Sequence, residues 1–97
     1  MGFYDDEEQR AIDDLKLRVE RNVDKKSDRG IEKGIITPEE GKKLEKAISK
    51  AVKHTDNEWW ELSKGMKSYE IAMELLKAAD IGTYYEEIEI LEKIQKA

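Results

Sequence analysis

The chain has 97 residues, 42% of them charged and 38% hydrophobic, with a formal net charge of −5. That length suits one helical domain over residues 1–97, with a modest core, and is too short for two. The absence of cysteine excludes disulfides, thiolate metal ligands and cysteine nucleophiles, and no apolar run is long enough to span a membrane.

The opening Met1-Gly2-Phe3-Tyr4-Asp5-Asp6-Glu7-Glu8 is acidic where a signal peptide would be basic and then apolar, so a cytoplasmic location is expected. A first helix begins near Asp5 or Asp6, whose carboxylates can cap it, with Glu7 and Glu8 well placed on the helix dipole. Its apolar stripe is narrow: Tyr4, Ile12, Leu15, Val19, Val23 and Ile31, interrupted by Asn22 and Ser27. Gly30 costs about 1 kcal/mol relative to alanine, which leaves a break between Lys26 and Gly30 open. Unbroken to Lys33, the helix is roughly 40 Å long. A stripe this narrow on a helix this long suits a seam between helices, and a homodimer is expected.

The clearest punctuation is Gly34-Ile35-Ile36-Thr37-Pro38-Glu39-Glu40. Gly34 can take the left-handed conformation that closes a helix. Thr37 with Glu40 makes a capping box, and Pro38 fits the first helical position. So short a connection predicts an antiparallel hairpin. An EF-hand frame on these residues fails, because Arg29, Ile31 and Lys33 would stand where calcium needs side-chain oxygens. The same residues resemble the turn of short bacterial oligomerisation hairpins of the SHOCT type. Gly30 and Gly41 depart from that pattern's helical flanks, and no function is carried across.

The second helix places Leu44, Ala47, Ile48, Ala51 and Val52 on one face. A further capping-box pattern, Thr55 with Glu58, favours a break, since Asp56-Asn57 suits a helix interior poorly. Against it, Leu44, Ile48, Ala51, Thr55, Trp59, Leu62, Met66, Tyr69, Met73 and Leu76 keep one 3-4 alternation throughout. The helix that follows runs to about Ala79 and is apolar over a wide arc. Gly82 ends it, and Thr83 with Glu86 opens a last helix bearing Tyr84, Tyr85, Ile88, Leu91 and Ile94. The expected fold is all-α, a three- or four-helix bundle with a long N-terminal helical hairpin.

Chemistry is harder to find. His54 is the single histidine, near a helix C-terminus where its interaction with the dipole accounts for it. No serine lies on a nucleophile elbow, and neither a Walker loop nor a dinucleotide fingerprint is present. No cofactor, no metal and no enzymatic activity are expected. Lys42, Lys43, Lys46, Lys50 and Lys53 stripe the second helix, either as a nucleic-acid face or as the solvated side opposite Leu44 and Ile48. Trp59 keeps phase with Leu62 and Met66 and reads as core. Trp60 falls at the boundary, where it either marks a partner surface or caps its own bundle.

Residues 55–97 carry ten acids and five bases, against three and five for residues 34–54. An acidic C-terminal half favours a basic partner surface, with Trp60, Glu58, Glu61, Glu86 and Glu87 as its expected contacts. The resulting expectation is a non-enzymatic interaction protein, an accessory regulator or inhibitor that binds a protein or protein–nucleic acid complex. The alternatives are nucleic-acid binding through the lysine stripe and a structural oligomerisation module. In size and composition the chain resembles small acidic accessory proteins of phages and mobile elements, including inhibitors of host nucleases such as anti-CRISPR proteins.

Overall fold

The structure is a computed structural model that describes residues 5–78 and 84–97. These form five helices: α1 (Asp6–Glu32), α2 (Pro38–His54), α3 (Asn57–Leu62), α4 (Ser68–Ala78) and α5 (Tyr85–Lys96). Asp5 caps α1 by accepting from the Glu8 amide at 2.8 Å. The helix passes through Gly30 without a break, and its length sets the long dimension of a molecule 46 × 24 × 19 Å across.

The turn after α1 is built as its residues dictate. Gly34 has φ +73°, the Gly34 amide donates to the Ile31 carbonyl, and the Ile35 amide donates to that of Gly30 at 2.8 Å. This is a Schellman closure, which satisfies carbonyls that the helix end would otherwise leave bare. Ile36 folds back over Gly30, where a Cβ would stand 3.2 Å from Ile36 Cγ1 and 3.3 Å from Ile94 Cγ1. The Thr37 capping box then opens α2, with Glu40 N donating to Thr37 Oγ1 at 3.1 Å and Thr37 N to Glu40 Oε1 at 2.9 Å. Thr37→Ala removes one arm of that box, with an expected loss of about 1 kcal/mol read as a lower urea midpoint. The Thr37 amide, and then Lys93 at 3.5 Å, hold the Glu40 carboxyl below its usual range.

The expected bundle of three or four helices with an N-terminal hairpin is corrected here. Among the described residues there are five helices, and α1 with α2 does not stand as a separate hairpin. α1 packs against α2, α3, α4 and α5 in turn, while α2 also meets α4 and α5. Ile12, Val19, Leu44, Ile48, Trp60, Ile71, Leu76 and Leu91 belong to one buried cluster fed by all five helices. The apolar stripe of α1 that suggested a dimer seam is already covered within one chain. Ile12 and Val19 are 0% exposed, Val23 1% and Leu15 6%.

The chain does break at residues 55–56, but Asp56 rather than Thr55 caps α3, accepting from Trp59 N at 3.0 Å. Thr55 instead turns its hydroxyl back onto the Ala51 carbonyl. A second break, which the unbroken 3-4 spacing concealed, falls at residues 63–67. There Ser63 Oγ donates to the Trp59 carbonyl at 2.9 Å, and the Ser63 and Met66 amides donate to the Trp60 and Ser63 carbonyls three residues back, closing tight turns. Gly65 lies within this break and disfavours helix there. The wide apolar arc of α4 is confirmed, with Ile71, Ala72, Met73, Leu75 and Leu76 buried against α1, α2 and α5. Gly82 and Thr83, expected to end one helix and cap the next, lie outside the described residues, as does Tyr4. α5 opens after Tyr84, with no side-chain cap bond.

Candidate functional site

Burial of Leu44, Ala47, Ile48 and Ala51 turns the opposite side of α2 to solvent, and with it the lysines. The tertiary structure splits the stripe. Lys43, Lys46, Lys50 and Lys53 line one groove of about 540 Å³, shared with Tyr84 and Glu87 of the α5 entry. Lys42 instead lines a groove of about 660 Å³ with Glu20, Asp24 and Glu45, and Lys43 and Lys46, on the ridge between the two, border both. Lys43 is ion-paired with Glu86. That hydrogen bond, together with the charges of Glu86 and Glu87, lifts the Lys43 ammonium above its usual range.

The acidic residues divide as well. Glu86 and Glu87 sit on α5 beside the lysines, Glu86 in its pair and Glu87 only 9% exposed. Glu58 and Glu61 sit on α3, which packs on α1 and not on α5. The five expected partner contacts therefore do not share one surface. Glu61 pairs with Lys64 at 2.8 Å through one oxygen, while its other oxygen is buried.

The two tryptophans exchange the roles that spacing suggested. Trp60 is 0% exposed and Trp59 is half-buried, their rings edge to face with centroids 5.3 Å apart. As folded, the Trp60 ring is not on the surface. The reason is the break after Leu62: the periodicity that put Trp59 in phase with Met66 runs through a turn, so it says nothing about which side of α3 meets α1. With Trp60 inward, Glu58, Trp59 and Leu62 share the outer face by their 3-4 spacing. Leu62 is 86% exposed, against 70% for Tyr85 and 48% for Leu17. Sequence reasoning missed it by counting it in the core stripe. Ser63 and Gly65 were the signal that could have separated it.

Asn57 Nδ2 donates to Gln9 Oε1 at 2.8 Å, which ties the start of α3 to the first turns of α1. Those turns carry Asp5, Asp6, Glu7 and Glu8, all exposed. An exposed leucine thus stands on a short helix docked beside a strongly acidic helix end. Compared with protein-family models, curated proteins and solved structures, the chain matches none. The surfaces themselves must carry the functional argument.

Among the described residues no three His, Cys, Asp or Glu side chains are grouped to hold a metal ion, and no helix is long and apolar enough to cross a membrane. Asp24 and Asp28 of α1 nonetheless face Glu45 of α2 closely enough to matter. Burial first, then the neighbouring carboxylates, raise the Asp24 and Glu45 carboxyls above their ordinary values. A carboxyl raised in the folded state gives stability that is full below its unfolded pKa and lost as pH rises through the folded one. At neutral pH the repulsion is therefore fully present, offset in part by Lys42 and Lys46 in the same groove. Glu45→Gln is expected to raise the urea midpoint at pH 7, by only a few tenths of a kcal/mol because the groups are largely solvated. Near about pH 3.5, where these carboxyls are protonated, the gain should vanish.

Proposed function

We propose that this chain is a non-enzymatic interaction protein that binds a basic surface of a protein, alone or within a nucleoprotein complex, through the outer face of α3. The observation that carries this reading is Leu62, 86% exposed on a six-residue helix tied to the acidic start of α1. Full burial of one leucine is worth roughly 1.5–3 kcal/mol, enough to make it an anchor. Glu58 on the same face and the exposed acids of α1 supply the field that steers a basic partner toward it. Trp59, half-buried beside Leu62, adds amphipathic contact area. The biological role that fits is an accessory regulator or inhibitor acting by occupying its partner's surface, of the phage or mobile-element kind that the size and composition resemble.

The test is capture from the native host on immobilised protein, with mass determination of what co-elutes, using wild type and Leu62→Glu in parallel. Because Leu62 contributes almost nothing to the core, the variant should melt like wild type and lose the captured chain. A loss of at least tenfold in affinity is expected for a central apolar anchor. A folded Leu62→Glu protein that retains its partner would remove the α3 face from the account.

A further inference from the structure

Apart from the α3 face, the groove between α2 and the entry to α5 has the makings of a second site. Its wall is cationic, with Lys46, Lys50 and Lys53 recurring on one side of α2. Their steps of four and three residues rise about 6 Å and about 4.5 Å along the helix axis. None of the three forms an ion pair with a carboxylate among the described residues, whereas Lys43 is held by Glu86. Ser49 adds a hydroxyl to the same wall, and Tyr84 stands half-buried across the groove. Glu87 also lines the groove, nine-tenths buried.

We infer that this groove binds single-stranded nucleic acid, with the three lysines along the phosphates of one strand and Tyr84 offering a face on which a base stacks. Successive ammonium groups along one helix face can follow successive phosphates, and an aromatic beside them is the pairing that strand-tracking grooves use. Glu87 is placed to accept from an exocyclic base amine, a contact a bare polyanion would not make. An acidic protein partner fits less well. Among the described residues Ala47 is the groove's one aliphatic lining residue, and its single aromatic, Tyr84, is half-buried beside a cationic wall rather than centred in an apolar patch, as a protein anchor would be. The volume of about 540 Å³ is on the scale of a small-ligand site, enough to admit a base beside Tyr84. This inference is independent of the α3 surface and can fail or stand without it.

Fluorescence anisotropy with a labelled single-stranded oligonucleotide of mixed sequence tests it directly. Wild type should bind and weaken roughly 20-fold between about 50 and about 200 mM salt, as three phosphate contacts require. The variant Lys46→Gln/Lys50→Gln/Lys53→Gln should bind at least about tenfold more weakly at low salt, with a log–log salt slope smaller by about 2. A control with the same change in net charge, Arg18→Gln/Arg21→Gln/Lys25→Gln, alters a separate groove on α1 and should leave binding intact. Lys46→Arg/Lys50→Arg/Lys53→Arg should also retain it, which guards against a folding defect from the substitutions. Tyr84→Leu, checked for folding by circular dichroism, should cost about fivefold or more. No binding by wild type, equal losses in the two charge-matched triples, or equal affinity for a duplex would each overturn the inference. Displacement of the oligonucleotide by polyglutamate of equal charge would overturn it too, in favour of an acidic protein ligand.

Discussion

Trp60→Ala is expected to lower stability by about 3–5 kcal/mol, the range for deleting a fully buried aromatic. Trp60 is 0% exposed and is the one buried residue of α3, so its ring is what holds that helix against α1. The Asn57 to Gln9 contact is a further tie between the two helices, a single hydrogen bond of modest net worth. Against a total stability of about 5–15 kcal/mol for a domain, such a loss is close to unfolding. Trp60→Phe separates packing from polarity. The indole Nε1 is buried without an acceptor among the described residues, so phenylalanine loses volume but also discards an unsatisfied donor. It should cost less than half as much as alanine and leave a folded protein. Urea unfolding of the three proteins decides the matter. Coincident midpoints for wild type and Trp60→Ala would mean that the ring does not anchor α3. The same pair bears on function: a folded Trp60→Phe that binds its partner normally would confirm that the contact lies on the outer face, with Leu62.

The second large effect concerns the crossing of α1 and α2. A Cβ at Gly41 would lie 2.6 Å from Ser27 Oγ and 2.8 Å from Ile31 Cδ1, both closer than packed atoms allow. Gly41→Ala gains about 1 kcal/mol of helix propensity but forces an overpacked crossing that typically costs 1–3 kcal/mol. A net loss of up to about 2 kcal/mol is expected. Ser27 itself is 0% exposed, and its hydroxyl has no hydrogen-bond partner among the described residues. Ser27→Ala should therefore be neutral or stabilising by up to about 1 kcal/mol, because it removes an unsatisfied buried group. In that background the closer obstacle to Gly41→Ala is gone, and Ile31 Cδ1, at the end of a flexible side chain, can move. The sign of Gly41→Ala should then turn neutral or favourable, a coupling of about 1–3 kcal/mol in a double-mutant cycle. Additive effects would show that the two helices are not held at this spacing.

These residues also mark where reading the sequence reached its limit. The start of α1 and the turn into α2 were legible, because Asp5, Thr37 and Glu40 bond their own neighbouring backbone and Gly34 takes a positive φ, whereas the start of α3 was displaced by one residue, from Thr55 to Asp56. Ser27 and Gly41 looked like blemishes on helix faces, and nothing local says that they face each other across a close helix crossing. The lysines of α2 were legible as a stripe, because 3.6-residue periodicity is a property of one helix. Which of them border the groove toward α1, which the groove toward α5 and which both was not, since that depends on where α1 and α5 lie.

The sequence by itself determined that this protein is all helix, where its first two helices begin and turn, and which sides of α2 and α4 are apolar. Those properties arise from capping bonds, propensities and spacings within a few residues, and they survive in any fold the chain adopts. Only the tertiary structure decided the rest. The turn at residues 63–67 resets the phase of the chain, so Trp60 rather than Trp59 enters the core and Leu62 is turned out to solvent. The docking of α5 on α2 took Glu86 and Glu87 away from the acidic α3 face and set them among the lysines. Both outcomes follow from one physical fact: periodicity assigns residues to a helix face, but only packing against a neighbour determines whether that face is inside or out.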